Sequence, residues 1–355
     1  MRNNYWYYLK NILNNPVKSA KTILHGRKLK KINVSSVLIA GLLCITYMML
    51  KWQTLDRCSG QQAVLYTGSI SERQHLRSFV LVGDTQRTSF WEFWREQNDS
   101  ARIAVLQKIA SENPAFVIIL GDLVSQGSNP IHWQQFDEYT ADIRNSGIPI
   151  FPVLGNHDYF GNKERALGHY FSRFPHLEKS KWIAFRFLSV GIILLNSNFN
   201  ELKDNERRQQ HSWFIKKISE FQNDLALTTI LVACHHPPYT NSKVVSDDKD
   251  VQRTFVEPFI ATPKAKLFFS GHCHSYEHFV KNDKHFIVSG GGGGPRQLLE
   301  IDAEKQRHSD TYKGGPLRDF HFCRFSILTE GVQVQMVRLN KGLREWSIGE
   351  EFVVR

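Results

Sequence analysis

Ile148-Pro-Ile-Phe-Pro-Val-Leu-Gly-Asn-His-Asp158 is the stretch whose reading decides the fold. Its first seven residues are apolar and read as a buried strand, which places Asn156, His157 and Asp158 on a loop at the strand's carboxyl end. Open α/β sheets bind ligands at that edge. An amide oxygen, an imidazole and a carboxylate in succession can ligate a metal, move a proton and orient the proton mover. The other reading is an ordinary turn, since Asn, Asp and Gly favour turns.

The same grammar recurs four times: Phe79-Val-Leu-Val-Gly-Asp84, Phe116-Val-Ile-Ile-Leu-Gly-Asp122, Ile230-Leu-Val-Ala-Cys-His235 and Leu267-Phe-Phe-Ser-Gly-His-Cys-His274. Each is a strand followed by donors, so Asp84, Asp122, Asn156, His235, His272 and His274 are expected at one sheet edge. Three oxygen donors and three imidazoles suit hard-to-borderline ions such as Mn, Fe or Zn.

With these motifs in order, the sequence resembles the calcineurin-like metallophosphoesterases, a family that includes purple acid phosphatases, Ser/Thr phosphatases and cyclic-nucleotide phosphodiesterases. The family pattern is Asp-x-His, Gly-Asp-x-x-Asp, Gly-Asn-His-Asp/Glu, a later His, then Gly-His-x-His, and it is matched from about residue 78 to 275. The runs at 232–239 (Val-Ala-Cys-His-His-Pro-Pro-Tyr) and 271–278 (Gly-His-Cys-His-Ser-Tyr-Glu-His) and the Gly-rich 290–294 are similar to the acid-phosphatase branch. The resemblance implies an α/β fold with two mixed β-sheets packed face to face and helices outside. It also implies two divalent or trivalent ions: one on Asp84, Asp122 and His274, the other on Asp122, Asn156, His235 and His272, with Asp122 bridging. Such a pair activates a bridging hydroxide against phosphorus. His157 would then stabilise the phosphoryl oxygen or protonate the leaving alkoxide, with Asp158 fixing its tautomer. His236, Arg296 and the backbone of Gly290–Gly294 are weaker candidates for holding phosphate, against a second-layer imidazole, a surface Arg and a plain loop. Two departures stand out. Gln86 replaces the first motif's His, a weaker ligand for Fe or Zn that favours loose binding or Mn or Mg. Ser125 stands where the second motif ends in an acid or Tyr, which removes a tyrosinate chromophore.

The chain has 355 residues and a net charge of +11, but residues 1–31 hold eight Lys/Arg and no acid, leaving the remainder at only +3. The basicity belongs to an arm, so no nucleic-acid partner is indicated. Seventeen uncharged residues, Val34–Leu50, follow between Lys31 and Lys51-Trp52. With its flanks this run predicts one transmembrane helix over 32–52, about the 20 residues a bilayer needs; the alternative is a buried core helix. The positive-inside rule keeps the arm cytoplasmic and exports the rest, to the periplasmic side of an inner membrane in a bacterium. Residues 53–76 read as a linker and 77–355 as the phosphoesterase domain. The five cysteines make no disulfide framework, and strand alternation turns Cys234 and Cys273 into the core.

Helical patterning covers Ala101–Glu112, Ile131–Ser146, Glu164–Phe174, Glu206–Phe221 and Val251–Ile260. A hairpin is expected over Trp182–Leu188 and Gly191–Asn196, and late antiparallel strands at Phe286–Ser289, His321–Thr329 and Val332–Leu339. Substrate walls are expected from Gln86–Ser100, Tyr239–Asp250 and Asp302–Asp319, with Phe90, Trp91, Phe93 and Trp94 either stacking a base or lipid or packing as a helix. The expected activity is hydrolysis of phosphate mono- or diesters by a membrane-anchored enzyme. The alternative is a non-catalytic or weakly active protein that binds a phospho-ligand or acts as a scaffold on the same fold.

Overall fold

The computed structural model describes residues 63–355 except Gly68, Phe90, Trp91, Phe93, Lys341, Leu343 and Arg344. The basic arm, the predicted transmembrane helix over 32–52 and the first part of the linker lie outside the described residues. Among those described, no helix is long and apolar enough to cross a membrane.

Twelve strands form two six-stranded sheets. In the first, β1 (Ser78–Val82), β2 (Val117–Ile119) and β3 (Ile150–Pro152) run parallel. β1 also pairs antiparallel with β10 (His321–Leu328), which continues through β11 (Gly331–Leu339) to β12 (Trp346–Val354). The second sheet has the order β4 (Ile183–Phe187), β5 (Val190–Leu194), β6 (Thr229–Ala233), β7 (Ala265–Ser270), β9 (Lys284–Ser289), β8 (Tyr276–Lys281). Its four middle strands are parallel. The hairpin turns at Leu188-Ser189, one residue earlier than expected, and β9 is antiparallel to β8 but parallel to β7.

Side-chain alternation explains the sandwich. In β1, Phe79 and Leu81 face the second sheet while Val80 and Val82 face helices; in β6, Leu231 and Ala233 face the first sheet while Ile230 and Val232 face the opposite helices. Strands buried on both faces must be apolar at every position, hence the continuous runs. Phe79 lies stacked between Phe116 and Phe325 at ring-centroid distances of 4.9 and 4.4 Å. Cys234 and Cys273 are buried in the helix-side core and Cys323 between the sheets, all as free thiols.

The helices are α1 (Asp99–Ser111), α2 (Pro130–Tyr139), α3 (Ala141–Asn145), α4 (Lys163–Arg173), α5 (Asp204–Asn223), α6 (Lys249–Val251) and α7 (Glu257–Ala261). The helix expected over 131–146 is broken at Thr140, whose hydroxyl hydrogen-bonds to Phe136 O at 2.6 Å and to the Tyr66 hydroxyl at 2.6 Å. The helix expected over 251–260 carries a π-helical turn, Gln252–Val256, between α6 and α7. Pro258 has no N–H to offer the Thr254 carbonyl, so the α-helical ladder cannot run through. Two strands, β8 and β12, escape the sequence pattern because an acid of each, Glu277 and Glu350, faces inward. Glu350 of β12 accepts from the Tyr276 hydroxyl at 2.6 Å and pairs with His278 at 3.1 Å, both on β8.

The expected walls at 239–250 and 302–319 clasp each other. Arg307 donates to Thr240 O at 2.7 Å and Ser242 O at 2.8 Å, and His308 pairs with Asp247 at 3.0 Å.

Candidate metal centre

Asp84 follows β1, Asp122 follows β2, Asn156 follows β3, His235 follows β6, and His272 and His274 follow β7. The strand direction therefore delivers all six to the carboxyl edge. Asp84, Asp122 and His272 adopt left-handed backbone, with φ of 60°, 52° and 66°. That conformation costs non-glycine residues of the order of 1 kcal/mol, and at these three positions it turns donors inward. Gly155 is required beside them, because a Cβ there would stand 2.2 Å from Asp122 N and Oδ1.

Around Asp122 the donor atoms converge. His235 Nε2 lies 3.4 Å from Asp122 Oδ1, 3.1 Å from Asn156 Oδ1 and 3.1 Å from His272 Nδ1. On the other side, Gln86 Nε2 is 3.2 Å from Asp122 Oδ2 and 3.1 Å from His274 Nε2, which is 3.5 Å from Asp84 Oδ1. The second nitrogens of the imidazoles fix which atom faces inward. His235 Nδ1 donates to Leu120 O at 2.8 Å and His274 Nδ1 to Pro295 O at 2.7 Å, so each presents Nε2. Asp84 is oriented by the His272 main-chain N–H at 2.9–3.0 Å.

The electrostatics fit a cation pair. Burial opposes ionisation of Asp122, yet the fields of His235 and His157 hold its carboxyl far below the usual range. Burial pulls His235 down, but Asp122 outweighs it and raises the imidazole to about 9. The cluster thus attracts positive charge where Asn156, His272 and Asp122 meet. Burial keeps His272 and His274 neutral, the latter at about 4, in the state that ligates metals. The Gln86 Oε1 is buried with no partner. A 180° turn of that amide would point the orphaned oxygen between Asp122 and His274, where an oxygen ligand is wanted. These residues fit a metal pair.

His157 sits beside the ligands and half open to solvent. Its main-chain N–H donates to Asp122 Oδ1 at 2.8 Å, its Nδ1 to Ser125 O at 2.9 Å, and its Nε2 lies 3.9 Å from Asp122 Oδ2. The exposed Phe160 ring leans over it at 4.4 Å. Asp158 does not orient this imidazole, contrary to the sequence expectation. Its buried carboxylate accepts from the N–H groups of Asp122 at 3.0 Å, Leu123 at 3.0 Å, Val124 at 3.4 Å and Gly155 at 2.8 Å. It ties the two ligand loops together. The Ser125 carbonyl has the tautomer role.

His236 joins the cluster, its ring 4.5 Å from that of His272. Ser197 Oγ accepts its main-chain N–H at 2.9 Å and lies 2.9 Å from Nδ1, which anchors the ring beside His272. Arg296 is not brought into the cluster. Glu96 holds its guanidinium at 2.7 Å, a further N–H goes to Arg318 O, and the group lies over Phe320. In the Gly-rich 290–294, three of the five N–H groups are already engaged. Those at 290, 292 and 294 bond Ser275 O, Gly83 O and Asp84 O. Glycine is needed at 290 because a Cβ would meet Asp84 Oδ2 at 2.5 Å.

Two contributors were not singled out from sequence. Asn198 Nδ2 donates to Leu154 O at 2.7 Å and fixes the strand that carries Asn156; the signal was there, since Ile192–Leu195 followed by Asn-Ser-Asn repeats the strand-then-polar grammar. Arg102, fully buried on α1, donates to Thr85 O, Gln86 O and Gly293 O at 2.7–2.9 Å and sets the Gln86 loop. Its signal was an arginine on an apolar helix face.

The sequence profile of calcineurin-like phosphoesterases matches residues 77–276. Purple acid phosphatase 1 of Ipomoea batatas is 25% identical over 230 residues, 59% of this chain and 45% of that protein. Tartrate-resistant acid phosphatase type 5 of Homo sapiens is 24% identical over 272 residues, 69% of this chain and 79% of that protein. The structure of purple acid phosphatase PPD1 from Lupinus luteus superposes with a TM-score of 0.58 at 14% identity, covering 81% of this chain and 54% of its own. The chain thus spans less than half the length of the Ipomoea relative. The family implies a dinuclear metal centre and phosphate-ester substrates. With its profile matched over more than half of the sequence, on the segments that build both sheets and carry the clustered donors, the chain belongs to the calcineurin-like phosphoesterase family.

Proposed function

We propose that the chain is a metal-dependent phosphohydrolase acting on phosphate mono- or diesters. The observation that carries this reading is the convergence of donors from five strand ends around Asp122, with His235 and His274 turned inward by hydrogen bonds from their outer nitrogens and Asp84 held by the His272 N–H. One ion would be held by Asp84, Gln86, Asp122 and His274, the other by Asp122, Asn156, His235 and His272. Bound there, the ions supply acidification of a water and neutralisation of the phosphoryl oxygens.

The chain's own groups do the rest. Asp122 would share its charge between the two ions. His157, with Nδ1–H anchored on the Ser125 carbonyl, keeps Nε2 beside Asp122 and, as the doubly protonated imidazolium, gives the Nε2 proton to the leaving oxygen and returns to the neutral Nδ1–H form. His236, with its ring beside His272, is placed to meet a phosphoryl oxygen. Asp158 keeps the loops of Asp122 and Asn156 at a fixed spacing, on which an in-line geometry depends.

The test is metal analysis of the purified protein with turnover of p-nitrophenyl phosphate and bis-p-nitrophenyl phosphate in Mn, Zn and Fe. Turnover that rises with metal occupancy supports the reading; metal binding without turnover of either ester assigns a scaffold or sensor. Membrane anchoring through residues 32–52, with residues 1–31 cytoplasmic and the domain exported, rests on the sequence alone. Protease added to sealed right-side-out vesicles should digest the domain, and protection would reverse the orientation.

A further inference from the structure

On the outer flank of the second sheet a cavity of about 380 Å³ lies between the start of α5 and the π-helical turn. Arg207, Arg208 and His211 line it from α5, Arg253 from the π turn, and Phe199 closes one side. The half-buried Arg207 is braced by Leu202 O at 3.2 Å and lies 3.9 Å from the exposed Asp204, while Arg253 pairs with Asp250 on the rim. Arg208 and His211 have no acceptor among the described residues.

Two features make this more than a solvated charged face. The cations converge on one concavity, three arginines and His211 against Asp250 on the rim and Asp204 beside Arg207, so the cavity carries one positive charge before His211 is counted. The π turn displaces the register that would otherwise continue from α6, and such turns are frequent at functional positions.

A short chain of contacts links the cavity to the metal centre. Phe199 stands two residues beyond Ser197, whose Oγ is bonded to His236, and the His236 ring is 4.5 Å from that of His272. We propose that this cavity binds a second phosphate group, on the same substrate as the scissile ester, through Arg207, Arg208 and Arg253. The substrate class is then a phosphoester with a further phosphate several bonds from the reacting one. Guanidinium forks suit that group because they bind its oxygens two at a time. The phosphate can belong to a soluble bisphosphate or to a lipid headgroup. The link to a substrate rests on the proposed phosphohydrolase reading; the anion site does not.

Calorimetric titration of the full chain with inorganic pyrophosphate, in chelator so that the metal centre contributes no cation, tests it. One site is expected. The Arg208→Gln/Arg253→Gln double variant, in two exposed positions, should weaken it at least tenfold at an unchanged unfolding midpoint, and Asp122→Asn should leave it intact. Absent binding, equal binding by the double variant, or loss through Asp122→Asn would overturn the site. Tighter binding of dihexanoyl phosphatidic acid than of pyrophosphate assigns the lipid source, and the reverse a soluble one. With metal restored, the double variant should lower kcat/KM at least tenfold for an alkyl bisphosphate relative to an alkyl monophosphate; an unchanged ratio overturns the substrate link. If neither ester turns over while pyrophosphate still binds, the phosphohydrolase reading has failed and the anion site stands.

Discussion

Asp158→Ala separates two accounts of the same carboxylate. In the structure four main-chain N–H groups, on the loops of Asp122 and Asn156, end on its two oxygens. An orphaned buried donor costs about 1–3 kcal/mol, so four in a solvent-free pocket set an upper range near 4–12 kcal/mol. Two effects reduce it. Water can enter the space left by the carboxylate, and the mutation removes a charge that burial, with Asp122 beside it, pushes up to about 7. A net loss of about 4 kcal/mol is expected, which lowers the unfolding midpoint by the order of 10 °C. Urea unfolding followed by tryptophan fluorescence reads the stability, and metal analysis at fixed free metal should show lowered occupancy. Turnover per bound metal pair should fall by the same factor for alkyl and p-nitrophenyl esters, because the His157 tautomer is held by Ser125. Unchanged stability, with a loss confined to alkyl esters, would refute this and return Asp158 to the role the sequence suggested.

Glu277 should set a pH slope. It is fully buried, and burial raises its carboxyl from 4.5 to about 7 despite hydrogen bonds from Thr240 and Asn241. The folded chain then holds a proton that the unfolded chain has released between pH 4.5 and 7, so this group removes stability as pH rises across that window, by about 3 kcal/mol in all. Glu277→Gln should flatten the curve there, and an unaltered slope counts against a protonated Glu277. Gln86→His should tighten one ion at least tenfold, measured by competition with a chelator, because it replaces an amide by an imidazole among Asp84, Asp122 and His274; unchanged affinity removes position 86 from the ligands. His157→Ala should slow an alkyl phosphate by ~10²–10⁴ and p-nitrophenyl phosphate far less, at unchanged metal occupancy. Equal slowing of both would make His157 a substrate clamp.

The sandwich was legible because strands buried on both faces leave unbroken apolar runs, and five such runs end in donors. Phe79–Val82 and Ile230–Ala233 show why: alternate residues serve two different cores, so no position can be polar. What escaped were features made by partners distant in sequence. β12 hides behind Glu350, an acid that is acceptable inside only because Tyr276 and His278 meet it. Asp158 was misread for a related reason: its neighbour His157 is adjacent in sequence, but a carboxylate behind a turn faces the N–H groups of that turn. Arg296 and the Gly-rich run were read by residue type, whereas Glu96 and Asp84 had already claimed them.

The central claim is that one carboxylate serves two ions and that the ester reacts between them. Asp122→Asn tests it most directly, with metal stoichiometry and ester turnover measured on the same sample. The account predicts two ions per chain in the parent, loss of most of that metal in the variant, and no measurable turnover. Metal content unchanged, or turnover within about tenfold of the parent, which is less than ~1.4 kcal/mol of transition-state stabilisation, would contradict it.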